Sequence, residues 1–117
     1  MPFIKVQTSA PIPDSDETID QVLKRLSAKL AKHVSKPESY VMTTFESNAK
    51  MTFGGTFDPV CYIEVKNIGT MSPAQTKAMS EDFCNEINHQ LNVPKNRIYI
   101  EFTNATGSMW GWNGATF

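Results

Sequence analysis

The group in this sequence best suited to chemistry is not a side chain. The chain begins Met1-Pro2-Phe3-Ile4. If Met1 is removed, Pro2 becomes a free secondary amine, a base held by its own ring and aimed by the strand that follows. A plainer reading stands beside it: proline suits the first position of a strand, because its missing N–H removes no ladder bond there. Proline occupies about one position in twenty on average, so Pro2 by itself weighs little. The other candidates are weaker. Cys61 and Cys84 are far apart and form no CxxC, and they read as two small buried thiols without a disulfide. His33 and His89 lack ligand spacing and read as solvated helix positions. Asp14, Asp16, Glu17 and Asp20 read as the charged start of a helix, where carboxylates meet the positive end of the dipole. Neither a metal site nor a cofactor is expected. Gly54-Gly55 is no phosphate cradle, since no Lys-Ser/Thr follows and no helix opens there. Close backbone packing is the expectation for these two glycines.

Composition narrows the classes of function. A length of 117 residues predicts one domain over 1–117, with room for a modest core. Apolar content of 40% and charged content of 20% are ordinary for a globular protein. A formal net charge of −1 leaves no basic footprint for nucleic acid and no polybasic membrane signal. No apolar run reaches the length of a membrane span, and the start of the chain lacks a signal-peptide pattern. The expected compartment is therefore cytoplasmic, with non-classical secretion left open. Without a secretion signal, the Asn104-Ala105-Thr106 sequon carries no weight.

The elements that must position Pro2 follow from periodicity. Residues 1–8 read as a strand with Ile4 and Val6 on one face and Lys5 and Gln7 on the other. After a proline-bearing loop, Ile19, Val22, Leu23, Leu26 and Leu30 form one apolar stripe of a helix over about Asp16 to His33. Lys36-Pro37 stops it, because the residue before proline is pushed away from helical angles. Tyr40 to Glu46 and Val60 to Lys66 read as strands, the latter with Cys61, Ile63 and Val65 on one face. Ser72-Pro73-Ala74-Gln75 predicts a helix start with a capping box. Met79, Phe83, Ile87 and Leu91 then recur every four residues, with Cys84 beside them, before Pro94. Arg97 to Phe102 is the last clear strand, and the aromatic tail holds a hairpin-type Asn113-Gly114.

The order is β-α-β followed by β-α-β. Pro37 and Pro94 are 57 positions apart, as are the helix starts near Asp16 and Pro73, which suggests a duplicated unit. The fold expected is an α/β (two-layer α+β) domain: one four-stranded mixed sheet with two helices on a single face. The opposite face would carry Lys5, Gln7, Tyr40, Met42, Tyr62, Glu64, Tyr99 and Glu101. A face half apolar and half polar suits a wet subunit interface better than a second core, and open sheet edges invite pairing. An oligomer is expected.

Taken together, several segments resemble the macrophage migration inhibitory factor family of the tautomerase superfamily. They are Met1-Pro2-Phe3-Ile4, Lys36-Pro37, Met51-Thr52-Phe53-Gly54-Gly55, Asn67-Ile68-Gly69, Arg97-Ile98-Tyr99-Ile100, and Gly111-Trp112-Asn113-Gly114-Ala115-Thr116-Phe117. They run in the family's order over essentially the whole chain. The resemblance implies a homotrimer of such subunits and keto–enol tautomerase activity on phenylpyruvate-like 2-oxo acids. It implies Pro2 as catalytic base after loss of Met1, Lys36 as the grip on the substrate carboxylate, and a hydrogen bond from the backbone N–H of Ile68. Tyr99 would come from a neighbouring subunit, and Trp110, Trp112 and Phe117 would form the apolar wall.

Elementary chemistry agrees with that assignment. Moving a proton between carbon and oxygen needs a base whose pKa lies near the working pH. An amine in an apolar pocket beside a lysine has its charged form disfavoured twice. Three departures qualify the resemblance. Val60 and Ile63 stand where the better-known member has a CxxC pair, so thiol–disulfide exchange has no second thiol. Glu101 replaces an uncharged amide at the pocket edge. A retained Met1 would turn the Pro2 nitrogen into an amide without a basic lone pair. The alternative reading is a cytokine-like receptor-binding protein whose tautomerase activity is vestigial. A dehalogenase or hydratase of the same superfamily would want more arginines near Pro2 than Arg25 and Arg97 supply.

Overall fold

Alternation in the first strand decides the architecture. In the computed structural model, which describes residues 1–117, Ile4, Val6 and Thr8 are buried and Phe3, Lys5 and Gln7 are not. That strand, β1 (Phe3–Thr8), lies inside a four-stranded sheet of order β2-β1-β3-β4, with β2 at Met42–Glu46, β3 at Cys61–Ile68 and β4 at Ile98–Ala105. β1 runs parallel to β2, β3 parallel to β4, and β1 antiparallel to β3. Each parallel pair is bridged by a helix, α1 (Ser15–His33) or α2 (Pro73–Leu91), as parallel strands require. The duplicated β-α-β unit is therefore real, with the two halves joined at the β1–β3 ladder.

Both helices cover one face. Ile4, Val6, Ile63 and Val65 from the sheet meet Val22, Leu26 and Leu30 from α1 and Met79, Phe83 and Ile87 from α2, and all of these are fully buried. The expected stripes hold, although Ile19 and Leu23 are only half-buried at the rim. The capping box of α2 is complete: the Ser72 hydroxyl accepts from the Gln75 N–H at 3.1 Å, and the Gln75 side chain accepts from the Ser72 N–H at 2.8 Å. Ser72→Ala should lower unfolding free energy by about 1 kcal/mol, read from a urea titration with unchanged m-value. An unchanged midpoint would show that the box is dispensable.

Charges, which periodicity does not locate, lock the helices together. Arg25, Lys29 and His33 recur every four residues on α1 and face Asp82 and Glu86 on α2. Glu86 is buried and its carboxylate meets Arg25 Nε at 2.8 Å. Burial works against the Asp82 carboxylate, but hydrogen bonds from Lys29 and His33 outweigh it and hold its pKa below the usual range. The stability from this pairing is present above the ordinary carboxylate pKa and is lost as pH falls through the depressed one. His33 is therefore not the solvated residue expected: its ring is half-buried, 2.7 Å from Asp82 and edge-on to Phe83.

Two other expectations change. Gly54 and Gly55 do not mediate close packing, since a Cβ on either would meet nothing within 4 Å. They take φ of +59° and +79° in a two-residue turn closed by paired Phe53–Thr56 backbone bonds, a conformation that L side chains resist. Tyr40 is not in a strand or on the open sheet face. It ends a short 3₁₀ turn, Glu38–Tyr40, because Pro37 starts that turn after the helix stops. No helix is long and apolar enough to cross a membrane.

Candidate active site

Pro2 sits where β1 begins, its ring buried and its carbonyl accepting the Met42 N–H at 3.1 Å. Two adjoining cavities meet at this strand end. One, of about 280 Å³, is lined by Lys36, Ile68 and Phe117, the other, of about 390 Å³, by Pro2, Trp110 and Trp112. Met1 and Tyr40 line both. The structure thus brings Pro2, Lys36, Ile68, Trp110, Trp112 and Phe117 to one place.

Lys36 arrives there through the end of α1. Ser35 adopts φ 55°, the Ser35 N–H bonds the Lys32 carbonyl, and the Lys36 N–H bonds the Ala31 carbonyl. This is the Schellman arrangement, and it turns the chain sharply out of the helix, leaving the Lys36 side chain to reach β3. The Lys36 ammonium donates to Asn67 Oδ1 at 2.9 Å and to the Ile68 carbonyl. An ammonium has three N–H donors, and the third, which faces the Met1 amine here, is released for an anion once Met1 is removed. Neither motif nor resemblance marks Asn67 as a site residue, although the alternation of β3 carries a signal. Asn67 continues the inward series Cys61, Ile63, Val65 and is buried, so a polar residue there needs a partner.

The Ile68 N–H has a clear direction. The Gly69 N–H donates to the Ala105 carbonyl of β4, and alternation along β3 turns the Ile68 N–H toward the β1 side. There β1 has already ended, because Phe3 pairs with Lys66. The donor faces the amine end of the chain with no ladder partner.

The tail supplies the wall. Gly111–Trp112 and Ala115–Thr116 pair as a small hairpin whose turn, Asn113-Gly114, has φ of 53° and 77°. The Phe117 N–H bonds the Gly107 carbonyl at 3.1 Å, and a Cβ on Gly107 would lie 2.5 Å from the Phe117 oxygen, so only glycine allows this closure. Trp112 stacks on Phe117 with centroids 5.7 Å apart, and Tyr40 meets Trp112 edge-on at 5.7 Å. Tyr40, placed in a strand on sequence grounds, is part of this wall.

Electrostatics make the strand end unusual. Desolvation, and secondarily the hydrogen bond and charge of Lys36, lower the amine of Met1 to about 6. Pro2 lies one residue further in and is buried with Met1 in place.

A family model of macrophage migration inhibitory factor matches residues 1–117. The chain belongs to this family. It is 34% identical to a macrophage migration inhibitory factor homolog of Brugia malayi, over all of this chain and 99% of the relative. A solved homologue from Prochlorococcus marinus is 41% identical with a TM-score of 0.88, covering 98% of each chain. That from Trichinella spiralis is 30% identical, also with a TM-score of 0.88, covering 98% of this chain and 99% of its own.

Two expected site residues of this family member lie elsewhere within the subunit. Tyr99 is at the opposite end of the sheet, because β4 runs parallel to β3 and β3 antiparallel to β1. It is 66% exposed and packs on Phe53 at 4.9 Å beside a separate hollow of about 240 Å³. Glu101 faces Glu64 across the β3–β4 ladder and accepts a hydrogen bond from the Tyr62 hydroxyl. That bond, then burial and the neighbouring carboxylates, pushes the Tyr62 phenol well above its usual pKa. The thiols are distant from Pro2 chemistry: Cys61 is buried, and burial plus the nearby Cys84 push it up to about 12. A thiol so raised has almost no thiolate at neutral pH and is a poor nucleophile.

Proposed function

We propose that the chain, once Met1 is removed, is a keto–enol tautomerase of phenylpyruvate-like 2-oxo acids with Pro2 as general base and acid. The observation that carries this reading is the setting of the chain start at β1, where desolvation and Lys36 lower the Met1 amine to about 6, a setting the Pro2 amine inherits when Met1 is lost. Such an amine is neutral and basic at neutral pH, as proton transfer from carbon requires. Pro2 takes the proton from C3, the C–H electron pair becomes the C2–C3 double bond, and the carbonyl pair moves onto the C2 oxygen. That oxygen then takes the proton from the prolinium, so nothing is consumed. The free donor of Lys36 and the Ile68 N–H hold the carboxylate, and Trp110, Trp112, Phe117 and Tyr40 receive the apolar ring.

In this reading the subunits form a homotrimer, and Tyr99 of one subunit completes a neighbour's site, with Glu101 on the same strand face. Support comes from the unpaired edges β2 and β4 and from Tyr99 and Met42, each 66% exposed. A purely receptor-binding role would leave the Lys36–Asn67 clamp beside a depressed amine without a purpose. The test follows the ultraviolet change of phenylpyruvate enol–keto conversion on the Met1-free chain, with light scattering on the same sample. Turnover by a trimer is expected, and Tyr99→Ala should raise KM several-fold. A fully active monomer, or no turnover, would overturn it.

A further inference from the structure

The family resemblance implies a role for Lys36, yet a second lysine lines the cavity that Pro2 itself lines. Lys66 pairs in register with Phe3 and sits half-buried at the Pro2 end of β3. Its ammonium has no ion pair and no hydrogen bond within the chain. The carboxylates of the open sheet face do not reach it, because they are engaged elsewhere. Glu46 lies 3.5 Å and Glu64 4.0 Å from Lys5 Nζ, and Glu101 accepts the Tyr62 hydroxyl. Lys36, by contrast, is clamped by Asn67 and Ile68 in the adjoining cavity. The amine end of β1 is thus flanked by one lysine in each of two cavities that share Met1 and Tyr40.

An ammonium without a counter-ion beside a cavity offers an anionic group of a ligand a charge-assisted hydrogen bond. One carboxylate satisfies Lys36 and leaves Lys66 unpaired. A second carboxylate on the substrate gives Lys66 a partner within the cavity that Pro2 lines. We infer that Lys66 is a specificity-determining residue that favours 2-oxo dicarboxylates over 2-oxo monocarboxylates at this site. The inference rests on the tautomerase reading above and names its preferred substrate class. The proton path is unchanged, from C3 to Pro2 to the C2 oxygen, and Lys66 holds the distal carboxylate without exchanging a proton.

The experiment compares enol–keto conversion of oxaloacetate and of phenylpyruvate by the Met1-free protein, its Lys66→Gln variant and its Lys66→Arg variant. The ratio of the two kcat/KM values, oxaloacetate over phenylpyruvate, should fall at least tenfold in Lys66→Gln, mainly through KM for oxaloacetate. Lys66→Arg should restore most of the ratio. A ratio unmoved by Lys66→Gln overturns the inference, as does an equal loss with both substrates. If the wild-type protein converts neither substrate, the tautomerase reading fails, and binding then decides the role of Lys66. In that case malonate should bind the wild type at least tenfold more tightly than propionate by calorimetry, and Lys66→Gln should abolish the difference. Equal binding of the two acids overturns the inference.

Discussion

Pro2→Gly should lower kcat/KM for phenylpyruvate by about 10²–10⁴-fold, the usual reach of general acid–base action. Glycine keeps an amine at the chain start, but a primary one on a backbone free to rotate, so the lone pair is no longer aimed at C3. Retention of Met1 should do at least as much harm by a different route, because the Pro2 nitrogen is then an amide and the free amine is displaced by one residue. The fold should survive both changes. The Pro2 carbonyl accepts the Met42 N–H, a bond that glycine retains, and the core of β1 is built by Ile4 and Val6. Mass spectrometry of the mature chain, thermal melts and parallel assays decide the matter. A fully active sample that still carries Met1 sinks the mechanism.

The fold was legible because its signals are periodic. Alternation at Ile4, Val6, Ile63 and Val65 and the four-residue recurrence of Met79, Phe83, Ile87 and Leu91 each report one buried face. Both helices and the Ser72 capping box stand within a residue or two of their expected places. Charge partners stand on different elements, so spacing within one element does not pair them. The meeting of Arg25, Lys29 and His33 with Asp82 and Glu86 depends on how two helices cross, which neither stripe specifies. The site residues were implied by the resemblance rather than by periodicity. Pro2, Lys36 and the tail aromatics come together at one strand end, whereas Lys66 gains meaning only once β3 is known to pair antiparallel with β1. Tyr40 was misplaced because an aromatic residue preceding a β-branched run reads as strand, while Pro37 had already started a 3₁₀ turn. The glycine pair was misread since sequence does not distinguish close approach from positive φ.

Lys36→Gln should lower kcat/KM for phenylpyruvate about 10–100-fold at neutral pH and shift the acid limb of its pH profile upward. Two effects combine. The substrate carboxylate loses a charge-assisted hydrogen bond, worth roughly 1.5–3 kcal/mol. The chain-start amine loses a positive neighbour; for the Met1 amine Lys36 is the second cause of the lowered pKa after desolvation, and the Pro2 amine is expected to respond in the same direction. Because the neutral amine is the active base, activity rises as pH passes upward through its pKa. Raising that pKa therefore removes active enzyme just above the old midpoint and none at high pH. The loss should be greatest on the acid side and settle, at alkaline pH, to the part due to the missing contact alone. Glutamine also leaves Asn67 and the Ile68 carbonyl short of a donor, so stability should fall by about 1–3 kcal/mol. Lys36→Arg separates the two effects. It keeps the charge and so the low amine pKa, but its planar fork does not fit the Asn67–Ile68 clamp, and KM should rise with the acid limb in place. Profiles of kcat/KM for the three proteins, taken below their melting temperatures, test both halves. An unmoved acid limb in Lys36→Gln would show that Lys36 does not tune the base, and an unmoved KM in both variants would remove it from the carboxylate.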